Sequence, residues 1–297
     1  MQAMRLLAVL SCAAVLAGCG SGKGTGAAPP PSPPLAVFVA GKRVAVVDPG
    51  RRRPLRLPHT VERRQGRATL DLAVRLRAAR RDVRRALATR RPRVDLPVEP
   101  VRTAIALRPV RQVLHNDCEA TALSMLLAAA GVHTGQLELQ ERLPRSGPLD
   151  PEPVAGSRLF RWGDPERGFV GRPAGGGSEG GFGVYEPPVR ALARRYGVHL
   201  VDLHGRSFPA LRAALLAGHP TLAWVGLAPG PYLSWLTPEG HEITVNLNEH
   251  AVTLVGAGPG YVLVNNPLSG RRERWSNGLF SYRWKLLGQR ALELPRY

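Results

Sequence analysis

Cysteine is scarce in this chain, with three in 297 residues: Cys12, Cys19 and Cys118. That number cannot build a disulfide framework, so an apolar core has to hold the fold. No Cys/His set has zinc-finger spacing and no HExxH occurs, so neither a metal nor another cofactor is expected. Aromatic residues make up only 6%. The run GRPAGGGSEGGFG has no Lys-Ser/Thr after its glycines, which argues against a phosphate loop and for a flap or a plain loop. Acidic residues are few, 22 against 41 Lys and Arg, for a net charge of +19.

The chain opens MQAMRLLAVLSCAAVLAGCG. Arg5 precedes an apolar run at residues 6–16, too short to cross a bilayer as a mature helix and shaped like a signal peptide. Its end, Leu16-Ala17-Gly18-Cys19, resembles the lipobox of bacterial lipoproteins. The resemblance implies that residues 1–18 are removed and that Cys19 carries the lipid. Such a protein is extracytoplasmic and anchored to the cell membrane. The alternative is an ordinary secretory leader whose Cys19 is accidental. Residues 19–35 then form a Gly-rich, later Pro-rich tether. Cys118 is left as the free thiol.

Residues 36–100 carry a net charge of +12 and residues 101–297 only +5. The first segment reads as a small basic module. It has two strands around Gly41-Lys42, a helix over residues 69–88 with Leu72, Leu76, Ala79, Val83 and Leu87 at helical spacing, and a proline-punctuated linker at 91–100. The module is either a packing extension with a solvated arginine face or a docking or covering element. With arginine far outnumbering lysine in an Ala/Gly/Pro-rich chain, genome composition accounts for much of the charge. Anionic lipid or a wall polymer is the expected counter-charge, and nucleic acid is not.

The main domain, residues 101–297, holds the chemistry. Asn116-Asp117-Cys118-Glu119 reads as a helix start, with Asn116 as cap and Glu119 reaching back in a capping box. Cys118 then stands in the first turn, where free N–H groups and the helix dipole lower a thiol pKa to roughly 3.5–7.5 when a histidine joins in. A packing cysteine would sit more naturally in mid-helix. Of the eight histidines, His250 stands out. HAVTLVGAGPGYVLVNN reads as a hairpin, and folding it about Gly258 puts His250 opposite Asn266, within bonding reach. Asn265 points to the other face, and Pro267 ends the pairing.

Gln112 lies six residues before Cys118, and the chain reads Asp117-Cys118-Glu119-Ala120, then Glu249-His250-Ala251-Val252 and Asn265-Asn266-Pro267-Leu268. In combination these resemble the papain-like cysteine peptidases related to the bacteriocin-processing, double-glycine leader peptidases (family 39 of clan CA). They are closest to that family's stand-alone exported branch, which residues 162–197 also resemble. The resemblance covers about residues 105–270. It implies an α+β papain-like fold, with a cysteine-bearing helix packed on an antiparallel sheet bearing the histidine.

It also implies roles. Cys118 is the nucleophile, His250 the base, Asn266 the orienting group, and Gln112 an oxyanion donor. Many relatives carry Asp where Asn266 stands, but an amide oxygen can accept the imidazole's proton bond, as in Cys-His-Asn sites. The expected activity is hydrolysis of peptide bonds in a peptide or protein substrate. Amidase or acyl-transfer chemistry on the same site, and a catalytically silent binding protein, are the alternatives. His241 with Glu249 is a weaker metal candidate. Trp162, Phe169 and Tyr185 suit either a substrate pocket or the core, and His115 and His219 suit structural roles.

Overall fold

The computed structural model describes residues 34–49, 55–175 and 180–295. The expected leader, the lipobox with Cys19, nearly all of the tether and the centre of the glycine-rich run lie outside the described residues. No helix among the described residues is long and apolar enough to cross a membrane. The chain divides into two compact units, Met1–Arg63 with Asp71–Glu99, and Arg64–Leu70 with Pro100–Tyr297.

In the first unit, β1 (Leu35–Val39) pairs antiparallel with β2 (Lys42–Val47) and parallel with β5 (Arg93–Leu96). Alternation buries Leu35, Val37 and Val39, which pack with Ala79, Val83 and Ala86 of α1 (Leu76–Ala88). The helix expected over 69–88 begins only at Leu76. Before it runs a strand, β4 (Ala68–Val74), after β3 (Thr60–Gln65). Burial of Ala68, Leu70, Leu72 and Val74 has period two, and that pattern overrides the helical one sharing Leu72. The expected linker at 91–100 is likewise strand, β5 followed by β6 (Val98–Ile105).

The second unit is built on an antiparallel sheet. β12 (Val201–Asp202), β19 (Ala291–Glu293), β13 (Thr221–Gly226), β16 (Glu249–Gly258) and β6 follow one another, and the tip of the β3–β4 hairpin continues the sheet through Ala106 N–H to the Arg67 carbonyl at 2.8 Å. β17 (Tyr261–Asn266) pairs with β16 and with β18 (Arg271–Ser276). Two small sheets stand aside: β11 (Gly181–Gly183), β10 (Phe169–Gly171) and β7 (Arg145–Ser146), and β15 (Glu242–Asn246), β14 (Tyr232–Leu236), β9 (Phe160–Arg161) and β8 (Glu152–Pro153).

The helices complete the unit. α2 (Cys118–Ala129) is apolar nearly all round, so it buries every residue from Cys118 to Leu127. It lies with α3 (Gln136–Arg142) and α4 (Glu186–Arg195). Leu123, Leu126 and Leu127 share a core with Trp224, Trp235, Ala251 and Leu292. A separate core joins Val252, Leu254 and Val264 to Leu211 and Leu215 of α5 (Phe208–Leu216) and to Phe280 and Trp284 of α6 (Asn277–Lys285). The β16 residues thus alternate between two apolar layers. Thr253 Oγ1 donates to the Ala122 carbonyl at 3.0 Å, fixing strand to cysteine helix.

Candidate active site

Cys118 is the first residue of α2, with Asp117 at the N-cap. The expected capping box does not form. Asn116 Nδ2 donates to the carbonyls of Gly175 at 2.5 Å and Arg172 at 3.3 Å, and Glu119 Oε1 accepts from Val184 N–H at 2.6 Å. Val184 and Glu119 are both fully buried, and a buried N–H left unpaired costs about 1–3 kcal/mol, more than a cap with water beside it. Asp117 Oδ1 accepts from Leu114 N–H at 3.2 Å, while Oδ2 is buried without a partner among the described residues. Burial pushes this carboxyl up.

The thiol of Cys118 is 5% exposed. It donates to Glu119 Oε2 at 3.3 Å, and its sulfur accepts the Ala251 N–H at 3.4 Å. Donor atoms of Cys118, Glu119 and Glu249 all lie within 4.8 Å of one another, a set that could close on a cation. Glu249 Oε1 is buried without a hydrogen-bond partner among the described residues. Gly183 makes room for both acids: at φ +127°, a Cβ there would stand 2.2 Å from Glu119 Oε1 and 3.2 Å from Glu249 Oε2. Burial raises Glu119 to about 7 and Glu249 well above the carboxylate range.

Burial first, then the charges of Glu119 and Glu249, push the Cys118 thiol well above its ordinary value. The thiol lowering expected from the helix start is therefore reversed. Desolvation and two acids outweigh what a helix N-terminus supplies.

His250 Nε2 meets Asn266 Oδ1 at 2.8 Å, both residues buried. They meet differently from the expected hairpin. Gly258 pairs with Tyr261, so the turn is Pro259-Gly260, and a bulge at Val255 shifts the register to Leu254 with Val264 and Thr253 with Asn265. Carried on, that register sets Asn266 against Val252, and His250 reaches it along the diagonal. Gly256 permits the bulge, since a Cβ there would lie 2.1 Å from the Thr103 carbonyl oxygen.

Asn266 is itself held. Its Nδ2 donates to Glu273 Oε1 at 2.9 Å and its Oδ1 also accepts Leu268 N–H at 3.0 Å. Glu273 accepts further from Ser269 Oγ at 2.6 Å and Trp275 Nε1 at 2.7 Å. This network assigns the amide orientation. An acceptor oxygen facing Nε2 puts the imidazole proton there and leaves Nδ1 the lone pair. Burial pushes His250 down to about 4, so the ring is neutral at pH 7. No hydrogen bond joins Cys118 to His250 among the described residues. The sulfur rests on the amide of the next residue, Ala251.

Gln112, the expected oxyanion donor, bonds here within its own loop. Its Nε2 donates to the carbonyls of Leu114 at 3.1 Å and His115 at 2.7 Å, and Oε1 is buried without a partner among the described residues. The tight loop before α2 presents those carbonyls inward, and the amide's two hydrogens satisfy them. Its backbone N–H bonds the Pro267 carbonyl at 3.0 Å, tying the cysteine loop to the Asn266 turn. Trp162, Phe169 and Tyr185 lie in the core. His219 Nδ1 pairs with Glu293 at 2.5 Å. A cleft of about 470 Å³ lies farther along α2, beside Met125 and His133.

A helix that begins with its thiol, packed on an antiparallel sheet bearing a histidine–asparagine pair, is the α+β layout of a papain-like peptidase domain. The chain belongs to the peptidase C39-like family, whose model matches residues 104–292. It is 32% identical over 189 residues to the uncharacterized protein YvpB of Bacillus subtilis (strain 168), covering 62% of this chain and 70% of that one. A solved Bacillus anthracis protein described as a C39-like peptidase superposes with a TM-score of 0.55 at 27% identity, over 64% of this chain and 95% of that chain.

Proposed function

We propose that this chain is an extracytoplasmic thiol peptidase, tethered to the membrane by lipid on Cys19. In this reading Cys118 is the nucleophile, His250 the base and Asn266 the group that orients it. The observation carrying it is the pairing of the His250–Asn266 bond at 2.8 Å with the Ala251 N–H on the Cys118 sulfur. Thiol, imidazole and amide belong to one locale, and the tautomer leaves Nδ1 to take a proton.

The resting pair is neutral rather than thiolate–imidazolium. Sulfur attacks the peptide carbonyl carbon as its proton passes to Nδ1. The C–N bond then breaks, and the imidazolium returns that proton to the leaving amine. Water, deprotonated by the same nitrogen, attacks the thioester carbonyl; the C–S bond breaks, the acid product leaves, and the imidazolium returns the proton to the sulfur. The Cys118 backbone N–H, which has no intrahelical partner at this position, serves the oxyanion.

One observation favours a second reading: a buried, protonated thiol beside two acids suits a silent binding protein. Iodoacetamide alkylation of the chain from Gly20 onward reports Cys118 alone, and a peptide-library digest reports turnover. Cleavage lost in Cys118→Ala and in His250→Ala supports the peptidase. Cleavage unchanged by Cys118→Ala, or no cleavage with a thiol inert up to pH 9, sinks it.

A further inference from the structure

The first unit carries a feature that thiol chemistry does not use. In α1, Arg77, Arg80, Arg81, Arg84 and Arg85 fall within about 140° of arc and about 12 Å along the axis. Four are exposed and Arg80 is half-buried, while Ala79, Val83 and Ala86 turn the opposite face into the core. None of the five makes an ion pair among the described residues, although nearby Arg75 and Arg93 are bonded to Glu99 and Asp95.

Three- and four-residue spacing makes five like-charged neighbour pairs on this face, each of which opposes helix formation. The first turn holds no acid and one of these arginines, against the helix dipole. Local stability therefore does not explain the arrangement.

We propose that the arginine face of α1 docks on an anionic phospholipid surface. One straight helix face is tangent to a plane, and five cations in a short row match a charged leaflet. Having spent its apolar residues on its own core, the helix binds peripherally and without insertion. The tether fits the occupant: about 15 residues, at most roughly 50 Å of chain, separate Cys19 from Leu35. The inference is independent of the thiol chemistry, and the tether's part in it rests on the proposed lipid at Cys19.

The test is co-sedimentation of the chain from Gly20 onward, which keeps every described element and omits the leader and Cys19. Vesicles contain 30% phosphatidylglycerol in phosphatidylcholine, or phosphatidylcholine alone. Binding to the anionic vesicles only, released by 1 M salt, is expected. Each arginine at such a surface is worth roughly fivefold in partitioning, so Arg81→Glu with Arg84→Glu should weaken binding at least a hundredfold. The Arg→Lys pair should retain it, and thermal melts check the fold. Should the reversal variant unfold, Arg77→Gln with Arg85→Gln gives the readout. No binding, equal binding to neutral vesicles, or full binding by the reversal variant overturns the proposal. Binding to soluble polyphosphate but not to vesicles overturns it in favour of a wall-type polyanion.

Discussion

Replacing Glu119 by Gln should make Cys118 more reactive, although it removes the carboxylate to which the thiol donates. The carboxyl oxygen stands 3.3 Å from sulfur. At an effective dielectric of about 20, a full charge there opposes thiolate formation by roughly 5 kcal/mol, an upper bound. Burial, the first cause of the thiol's high pKa, stays, and so does Glu249. Glutamine keeps an oxygen for Val184 N–H. The thiol's pKa should therefore fall, leaving more thiolate at pH 8. A less basic thiolate is also a weaker nucleophile, with a Brønsted slope of about 0.4–0.5, so alkylation should quicken by about half the gain in thiolate on a logarithmic scale. Iodoacetamide kinetics on the chain from Gly20 onward, followed from pH 6 to 10, measure it directly. Equal or slower alkylation by a variant that melts like the parent would refute the electrostatic account of this thiol.

Stability against pH should separate the buried groups. Glu119, raised from 4.5 to about 7, supports the fold below its ordinary pKa and withdraws about 3 kcal/mol as pH climbs to 7.5. Glu119→Gln should gain that much on the parent between pH 4.5 and 7.5 in denaturant titrations. His250, lowered from 6.5 to about 4, runs oppositely: its contribution is present above pH 6.5 and lost as pH falls towards 4, so His250→Ala should narrow its deficit in acid. Gly183→Ala forces a Cβ against Glu119 at a φ few side chains adopt and should cost about 2 kcal/mol or more, read from the urea midpoint. On the peptidase reading, Glu273→Ala frees the Asn266 amide and should lower kcat about ten- to a hundredfold with KM little changed; an unaltered kcat would assign Glu273 to structure alone.

Much of the site was legible because its parts obey short-range rules. An apolar helix after Asp117-Cys118 and a hairpin with a Pro-Gly turn are visible in any reading of their residues. What escaped depends on contacts distant in the chain. Glu119 fits a capping box locally, but Val184, 65 residues on, claims its oxygen. The bulge at Val255 rests on the close approach of Thr103 to Gly256. Glu273 hid in Arg271-Arg272-Glu273-Arg274, which reads as a solvated charge run. Its signal was being the one acid there, on the strand paired with Asn266's own. In the first unit Leu72 serves helical and alternating patterns equally, and only the sheet decided between them.

On the peptidase reading, the neutral site also explains why asparagine suffices where an aspartate is the commoner residue. An aspartate would be valued for stabilising an imidazolium, but here burial holds the ring at about 4 and leaves no imidazolium at rest. The third residue has only to fix the tautomer, and an acceptor oxygen does so without charge. A further buried carboxylate would have added desolvation cost beside Glu273 and Glu119. The negative charge lies instead one hydrogen bond farther out, on half-buried Glu273, kept below its ordinary carboxylate value by bonds from Ser269, Trp275 and Asn266. That placement makes Asn266 a relay of orientation. It predicts that Asn266→Asp, with Glu273 facing it, loses the Nδ2–Oε1 bond and sets two carboxylates against each other. Asn266→Asp should therefore be less active than the parent unless Glu273→Gln accompanies it. A single Asn266→Asp variant with higher kcat would show that charge, not tautomer, limits this site.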